Sequence, residues 1–319
     1  MTQHRLDPSP ATVHWGHFDA ALAPVLTIES GDTVTITTVS GLPDQLPAAA
    51  AGFTIAPALP AIHGSVERKT GPHICTGPVA IRGARAGDTL EVRIKAVALR
   101  DDWGFNMIRP GAGALPDDFQ QGRVIHIGLD ADRMIGRLPF GTDIPLRPFF
   151  GIMGVAPPPA AGTVSSVPPG RHGGNIDNKE LVAGTTLYLP VHTEGALFSA
   201  GDGHGAQGDG EVCLTAIETG LIGTFELHLH PGRRLDWPWA ETPTHLITMA
   251  FDPDLDACVT VALREMIAAI CSRSGLSRED AYTLCSLAAD LRITQVVNGN
   301  KGVHVMLEKR YLEDLPRPT

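Results

Sequence analysis

The stretch Thr89–Leu99, which reads TLEVRIKAVAL, decides the class of fold. It places the apolar residues Leu90, Val92 and Ile94 on one face of an extended segment and charged residues on the other. Alternation with a period of two predicts a half-buried β-strand. Similar runs continue through the first 250 residues, separated by turns rich in Gly, Pro and Asp. The other main predicted strands in this part are 33–39, 185–191, 212–217, 224–229 and 245–251.

The pattern changes in the last quarter of the chain. Apolar residues recur at helical spacing over 254–274, and Gly275 is predicted to cap that helix. Ser277, with an acidic residue three positions later, predicts the N-cap of a second helix. Two closing strands are predicted at 293–297 and 303–307.

Strands followed by segregated helices predict a mostly-β or α+β protein, not a doubly wound one. No Gly-rich turn stands between a strand and a helix, which excludes a Rossmann or P-loop nucleotide site. The chain divides into an N-terminal β-rich region (1–165), a β-rich region with the site-bearing loops (166–250) and a C-terminal helix-helix-strand-strand region (251–319). These regions are expected to pack together as one compact unit. The Pro- and Gly-rich segment 156–173 is interpreted as a loop that shapes a pocket, with an interdomain linker as the alternative.

The composition narrows the classes of partner. Hydrophobic residues make up 43% of the 319 residues, so a sizeable core is expected. With 25 basic and 35 acidic residues the net charge is −10, which argues against nucleic acid and anionic membranes as partners. The start, MTQHRLDPSP, does not resemble a signal peptide, and no run reaches the roughly 18–20 apolar residues of a membrane span. A cytoplasmic protein is therefore predicted, with its five cysteines as buried thiols.

Two segments combine glycine with side chains that bind metals or move protons. Residues 172–178 read HGGNIDN, and residues 201–211 read GDGHGAQGDGE. Glycine lets the backbone approach a ligand closely, and carboxylate with imidazole suits Zn²⁺ or a similar ion. Asp202 and His204 with one distant carboxylate, such as Asp177, would complete a three-ligand site. A solvated, turn-rich hairpin accounts for the same residues, so both interpretations stay open at this point.

Other residues carry weaker signals. Residues 224–231, TFELHLHP, place His228 and His230 on one face of a strand, a pattern that suits either a metal or a solvent-facing surface. No GxSxG motif is present. Cys75, before Thr-Gly-Pro, is the one candidate for a nitrilase-type nucleophile, whereas Cys213, which follows the acidic loop, is expected to pack within a strand. Four further histidines are each expected to serve packing or the surface: His14, His17, His73 and His192.

Several long stretches resemble the acetamidase/formamidase family. The most distinctive are GGNIDNKEL at 173–181 and GDGHGAQGDGE at 201–211. Others, such as HICTGPVAIRGARAGDTLEV and the tail ADLRITQVVNGNKGVHVMLEK, occur in the family's order, so the resemblance covers about residues 13 to 309. One departure is Arg82, where many relatives have an acidic residue; if that acid shapes the pocket, Arg82 alters the substrate.

The resemblance implies a β-rich fold with jelly-roll-like sandwich parts and a smaller α/β part. It also implies a homo-oligomer that hydrolyses short aliphatic amides to carboxylate and ammonia with a bound divalent metal, zinc being the first expectation. At the positions of this chain that match the family's motifs, the resemblance implies the metal ligands Asp177, Asp202, His204 and Glu218.

The expected catalytic groups come from the same motifs and from one earlier segment. Glu211 and Glu218 compete for the role of general base, and Glu218 cannot be both a tight ligand and a free base. Thr76 and Asn175 are expected to donate hydrogen bonds to the carbonyl oxygen of the substrate. Two alternative functions remain: hydrolysis of a lactam or another non-peptide C–N bond, and non-catalytic metal binding by a β-protein.

Overall fold

A computed structural model describes residues 1–313 and Leu315. It is a mostly-β structure in which two large sheets face each other and a helical layer covers one end. The strands, in chain order, are β1 Gln3–Leu6, β2 Val13–Trp15, β3 His17–Phe18, β4 Leu26–Ile28, β5 Thr33–Thr37, β6 Ile74–Ile81, β7 Thr89–Leu99, β8 Trp103–Ile108, β9 Arg123–Asp130, β10 Ile135–Arg137, β11 Asp143–Pro145, β12 Phe149–Gly154, β13 Val164–Ser165, β14 Gly173–Asn175, β15 Thr186–Pro190, β16 Phe198–His204, β17 Glu218–Thr219, β18 Leu221–His230, β19 Trp239–Glu241, β20 His245–Asp252, β21 Asp290–Gln295 and β22 Lys301–Glu308. The α-helices are α1 Ala58–Ser65, α2 Leu255–Arg273, α3 Arg278–Ala288 and α4 Arg310–Glu313, and short 3₁₀ turns occur at Pro43–Gln45, Ala49–Ala51 and Pro159–Ala161.

The first sheet has nine strands in the order β1-β5-β18-β7-β15-β19-β20-β22-β21. The first strand of the chain therefore lies at one edge and β21 at the other. Its centre is the long antiparallel pair of β7 and β18, whose register runs from Leu221 opposite Leu99 to His230 opposite Thr89. All three regions defined from the sequence contribute strands to this sheet.

The second sheet has eleven strands and carries the site. Its main path is β11-β10-β9-β8-β17-β16-β12-β14, and β6 joins it by pairing with β16, β2 and β4. A separate small pair is formed by β13 and β3. Strands β6, β12, β14 and β16 are buried along their whole length. The nine-stranded sheet packs on one face, and on the other β6 and β12 contact residues of β2, β3 and α1.

The main core lies between the two sheets. Val34, Ile36 and Phe225 of the first sheet belong to one buried cluster with Phe150 and Met153 of the second. Burial of such side chains stabilises the fold by about 1.5–3 kcal/mol each. The two sheets are therefore held as a sandwich, with the site strands pressed against its core.

A second core joins the helices to the first sheet. Cys258, Ala262 and Met266 of α2 pack in one cluster with Val303 and Val305 of β22. The two predicted helices are confirmed. No helix in the described part of the chain is both long enough and apolar enough to span a membrane.

Local predictions fail in two places around residues 201–217. The Gly-rich residues 201–204 form the end of strand β16, whereas 212–217, predicted as a strand, are a turn and irregular segment. Leu214 has a φ of 108°, in the left-handed region that breaks a strand. Glycine suits β16 because neighbours lie very close: a Cβ at Gly203 would stand 2.5 Å from the Thr219 carbonyl oxygen.

The predicted glycine cap of α2 is also wrong. The helix ends at Ser274, whose backbone is extended with φ −133° and ψ 168°. Its hydroxyl donates to the Ile270 carbonyl oxygen at 2.8 Å, which satisfies an end carbonyl without a left-handed glycine.

Candidate active site

Strands β12, β14, β16 and β17 bring the polar side chains of the two glycine-rich segments together. Asp202 and His204 lie on β16, and Glu218 begins β17 directly opposite His204 in the register. Asp177 follows β14, and its N–H donates to the carbonyl oxygen of Gly151 on β12 at 3.1 Å. Residues far apart in sequence thus converge because their strands are neighbours in one sheet.

The centre of the site is His204, which is completely buried. Its Nε2 lies 3.3 Å from Glu218 Oε1, 3.4 Å from Asp202 Oδ2 and 3.9 Å from Asp177 Oδ1. Among the described residues, Nε2 has no well-formed hydrogen bond, and neither has Asp177 Oδ1 nor Oε2 of Glu211. Buried polar atoms without partners are rare. Several of them aimed at one small volume indicate that another group belongs there.

Gln207 fixes which nitrogen of His204 carries a proton. Its Nε2 donates to the Asp177 carbonyl oxygen at 2.8 Å, so its Oε1 faces His204 Nδ1 at 2.9 Å and accepts from it. With Nδ1 protonated, a neutral His204 presents the lone pair of Nε2 to the carboxylates. This is the tautomer that a metal ligand needs, with the other ring nitrogen held by a neighbouring oxygen.

Gly151 leaves the space that the cluster occupies. A Cβ at this position would stand 2.4 Å from Asp177 Oδ1, 2.8 Å from His204 Cε1 and 2.9 Å from Asp202 Oδ2. Real Cβ atoms do not approach neighbours this closely, so only glycine permits the side chains to converge here.

Three of the acidic residues have a strained backbone. Asp177, Asp202 and Glu211 have φ angles of 50°, 53° and 46°. Aspartate tolerates this left-handed region moderately well, but glutamate is seldom found there. Strain of about 1–3 kcal/mol per residue persists where the surrounding structure enforces it, commonly at functional sites.

The electrostatics of the cluster favour a cation. Burial raises the pKa of Glu218 to about 8, and it also raises the pKa of Asp177 and of Glu211 above their usual values. Burial opposes the charged form of His204, but Glu218 and Asp202 raise its pKa well above the usual value. Burial also works against ionisation of Asp202, yet neighbouring histidines hold its pKa below the usual range. Four buried carboxylates resist ionising together unless positive charge is supplied among them.

The donor set fits a divalent metal ion. Two groups of three have ligand atoms that all lie within 4.8 Å of one another: Asp202, His204 and Glu218, and Asp177, His204 and Glu211. Adjacent ligand atoms around a tetrahedral ion with bonds of about 2.0–2.2 Å stand about 3.4 Å apart. The 3.3 and 3.4 Å separations from His204 Nε2 agree with that spacing.

A cavity of about 310 Å³ opens onto this cluster. Its floor includes the four acidic residues, and Asn175 and Asn298 lie beside them. Val167 lines it too, so the segment 156–173 contributes to the pocket as predicted. His73 also lines it, with Nε2 3.8 Å from Asp202 Oδ2. Glu211 faces both this cavity and a neighbouring, mainly apolar one of about 540 Å³.

The structure places most of the predicted site residues around the cavity, but not all of them. Asp177, Asp202, Glu211 and Glu218 all line the cavity, and His204 lies at their centre. Thr76 does not line it, because its hydroxyl donates to the Thr37 carbonyl oxygen at 2.9 Å.

Asn175 lies in the cavity wall but presents the opposite polarity to the one predicted. Its Nδ2 donates to the Val167 carbonyl oxygen at 3.2 Å. Its Oδ1 is buried without a partner among the described residues, so the free atom is an acceptor.

The other histidines have separate partners. His228 contacts Glu226, and His230 contacts Glu91, on the nine-stranded sheet away from the cavity. His14 lies between the His17 carbonyl oxygen and Ser199, and His17 Nδ1 lies near the Trp15 carbonyl oxygen. His192 is half-buried.

Arg82 and Cys75 take no part in the cavity lining. Arg82 is exposed and pairs with Glu29 at 2.6 Å, outside the cavity. Cys75 is buried, and burial raises the pKa of its thiol above the usual value, which disfavours a nucleophilic thiolate.

Three important residues were missed from the sequence. Gln207 lies inside the segment 201–211 and Gly151 outside both glycine-rich segments, and neither carries a distinguishing signal of its own. Asn298 comes from the turn between β21 and β22, and its Nδ2 donates to Asp177 Oδ2. Its place in the Asn-Gly-Asn segment suggested a hairpin turn, which concealed the contact.

Together, the sandwich and its buried His–carboxylate cluster define a β-protein with a small-molecule site that suits a metal ion. The chain belongs to the acetamidase/formamidase family, whose model matches residues 15–161 and 159–235.

Individual relatives agree with this assignment. The structure of an acetamidase from Bacillus halodurans superimposes with a TM-score of 0.84 at 32% identity, covering 98% of this chain and 99% of that one. An acetamidase from Yersinia enterocolitica gives a TM-score of 0.85 at 26% identity, covering 98% and 93%. A formamidase from Methylophilus methylotrophus is 31% identical over 46% of this chain and 49% of its own length. The chain thus spans about half the length of that curated relative.

Proposed function

We propose that this protein hydrolyses a linear short-chain amide to a carboxylate and ammonia, using a divalent metal ion, with zinc as the first candidate. The observation that carries the proposal is the unpaired Nε2 of His204 surrounded by buried carboxylates in a family whose relatives are named formamidase and acetamidase.

Asp202, His204 and Glu218 are the proposed main ligands, with Asp177 as a fourth. Glu218 suits this role because its Oε1 is already fixed by the Ala216 N–H at 2.9 Å and faces His204. A bound divalent ion would acidify a water molecule and polarise the amide carbonyl.

Glu211 is the proposed general base. Its Oε2 is buried without a hydrogen-bond partner among the described residues, and burial raises its pKa well above the usual value. A carboxylate with a raised pKa takes a proton from water and returns it to the leaving nitrogen more readily near neutral pH. Glu218, whose Oε1 accepts from the Ala216 N–H, has no comparable freedom.

The remaining wall residues position the substrate. Asn175 Oδ1 is free to accept a hydrogen bond from the NH₂ group of a primary amide, which favours primary amides over carboxylic esters. Buried Val39, Ile74 and Phe105 form apolar walls that exclude water from the reacting carbonyl.

The test combines metal analysis with ammonia release. The purified protein is expected to contain about one equivalent of metal and to release ammonia from formamide or acetamide. Activity should disappear on chelation and return with added Zn²⁺. Ammonia release that survives complete metal removal contradicts the metal-dependent mechanism. A panel with a lactam and its open-chain amide separates a linear amidase from a lactam hydrolase.

Variants test the ligand assignment. Asp202→Ala and His204→Ala are expected to lose bound metal and activity while retaining the β-sheet circular dichroism spectrum. Asp209→Ala is the matched control, because Asp209 lies in the same segment but pairs with Lys179 at 3.0 Å. Stoichiometric metal in both ligand variants rejects the assignment, and a metal-loaded protein inactive on every amide indicates a binding protein. The homo-oligomeric state and cytoplasmic location expected from the sequence stay predictions.

A further inference from the structure

The charges that line the active-site cavity are separated by depth. The acidic residues Asp177, Asp202, Glu211 and Glu218 are all buried on the floor. The two arginines of the lining are exposed, so they lie towards solvent at the rim. No exposed acidic residue accompanies them among the residues that line the cavity.

The two arginines come from separate parts of the chain. Arg68 lies in the loop after α1, and its Nε donates to the Gly71 carbonyl oxygen at 3.0 Å, which holds the guanidinium in place. Arg109 directly follows β8. The fold, and not proximity in the sequence, brings these two arginines to the same cavity opening.

Neither guanidinium has a carboxylate within 4.0 Å in the described part of the chain. Other exposed arginines, such as Arg133, also lack such a partner, so this fact alone indicates nothing. The distinguishing feature is that two unpaired guanidinium groups flank the cavity that leads to the proposed catalytic cluster.

We propose that Arg68 and Arg109 form a carboxylate-binding subsite, and that the preferred substrates are monoamides of short dicarboxylic acids. This inference rests on the proposed amidase function. Guanidinium groups bind carboxylates through charge-assisted, often paired hydrogen bonds. Because the two arginines hold the carboxylate end at the rim, the neutral amide end is the one directed towards the floor. The apolar walls between floor and rim suit the intervening methylene groups.

The reaction at this site is ordinary hydrolysis of the amide. The C–N bond breaks, a C–O bond forms to the oxygen of water, and the NH₂ group leaves as ammonia after taking one proton from that water. The other proton of the water is released when the new carboxylic acid ionises. The product is a dicarboxylate, whose new negative charge faces the acidic floor.

The substrate test compares two amides of equal length. Succinamate carries the carboxylate, whereas succinamide is its neutral counterpart. The metal-loaded protein is expected to favour succinamate by about tenfold or more in kcat/KM, and the preference should shrink as salt is raised. Arg68→Gln and Arg109→Gln should each lower kcat/KM for succinamate about tenfold, mainly through KM. Both variants should stay within about twofold of the parent on succinamide.

Arg133→Gln is the matched control, because Arg133 is exposed and unpaired but lies outside the cavity lining. Equal losses on both amides, or no preference for succinamate in the parent protein, overturn the subsite. If no amide is hydrolysed, the proposed function fails, and the subsite is judged by calorimetric titration with succinamate. Binding that disappears in the Arg68→Gln/Arg109→Gln double variant supports the subsite, whereas absent or unchanged binding rejects it.

Discussion

Gln207 joins the two halves of the candidate site through one side-chain amide. Its oxygen accepts from His204 Nδ1, and its nitrogen donates to the Asp177 carbonyl oxygen. We predict that Gln207→Leu weakens metal binding by about 10–100-fold, because the imidazole loses the contact that selects its tautomer. Competition with a chromophoric chelator measures the affinity.

The control for this variant is Gln120→Leu. Gln120 is exposed, and its amide donates only to the nearby Asp117 carbonyl oxygen at 2.7 Å. It should bind metal with the parent's affinity. Unchanged affinity in Gln207→Leu would show that the tautomer is selected by other contacts.

Single residues of the site were predictable only where their chemistry is conspicuous. The acidic residues and His204 stand out from a glycine-rich background, so their types alone suggested a metal centre. Gly151 could not be distinguished among 35 glycines, because the reason for its identity is the space needed by side chains on other strands. Asn298 was hidden for the same reason, since its partner Asp177 lies 121 positions away in sequence.

At the scale of elements, the N-cap of α3 gives a direct test of stability. The hydroxyl of Ser277 accepts from the Asp280 N–H at 3.0 Å and satisfies a free donor of the first helical turn. We predict that Ser277→Ala lowers the free energy of unfolding by about 1 kcal/mol, within a usual range of about 0.5–2. Urea denaturation followed by circular dichroism measures the change.

A serine without a capping role is the comparison. Ser272 is exposed near the end of α2, and its hydroxyl donates to the Ala269 carbonyl oxygen. Ser272→Ala should be neutral or slightly stabilising, because alanine has the higher helix propensity. If both variants behave alike, the Ser277 cap contributes nothing measurable.

Strands could be predicted from the spacing of apolar residues where burial of those residues alone determines the backbone. Strand β7 matches its predicted bounds at both ends, because its apolar residues Leu90, Val92 and Ile94 all pack in the core, although its first four residues are buried on both faces. The segment 212–217 was also predicted as a strand, yet the left-handed backbone of Glu211 and Leu214 turns the chain there. Strand β16 lacks alternation because both of its faces are buried. Periodicity therefore fails where the site, and not the solvent boundary, dictates the backbone.

At the scale of the whole molecule, buried histidines govern the response to acid. Burial lowers the pKa of His14, His172 and His304 to about 4 each. In the unfolded chain the pKa of histidine is about 6.5, so the unfolded state binds more protons between about pH 6.5 and 4. We predict that these three histidines lower the free energy of unfolding as pH falls through this window, whereas Asp177, Glu211 and Glu218, whose pKa values are raised in the fold, act in the opposite direction there. Urea midpoints measured at several pH values test this.

A variant at His304 isolates the contribution of one buried histidine to the pH dependence of the free energy of unfolding. His304 is fully buried, with Nδ1 2.8 Å from the Thr294 hydroxyl, and lies away from the proposed ligands. His304→Gln should lose stability near pH 7 but show a shallower decline towards pH 4, by on the order of 3 kcal/mol at most. A decline as steep as that of the parent would mean that His304 is not kept neutral by the fold.

The contact between Asn298 and Asp177 has a consequence for the order in which the molecule matures. A ribosome makes Asp177 first and must add 121 more positions before Asn298 exists. Until then, one carboxylate oxygen at the centre of the cluster lacks its anchor. At that stage strand β22, Lys301–Glu308, is also still missing from the nine-stranded sheet. Full ordering of the acidic centre therefore waits for a segment made after all four of its acidic residues.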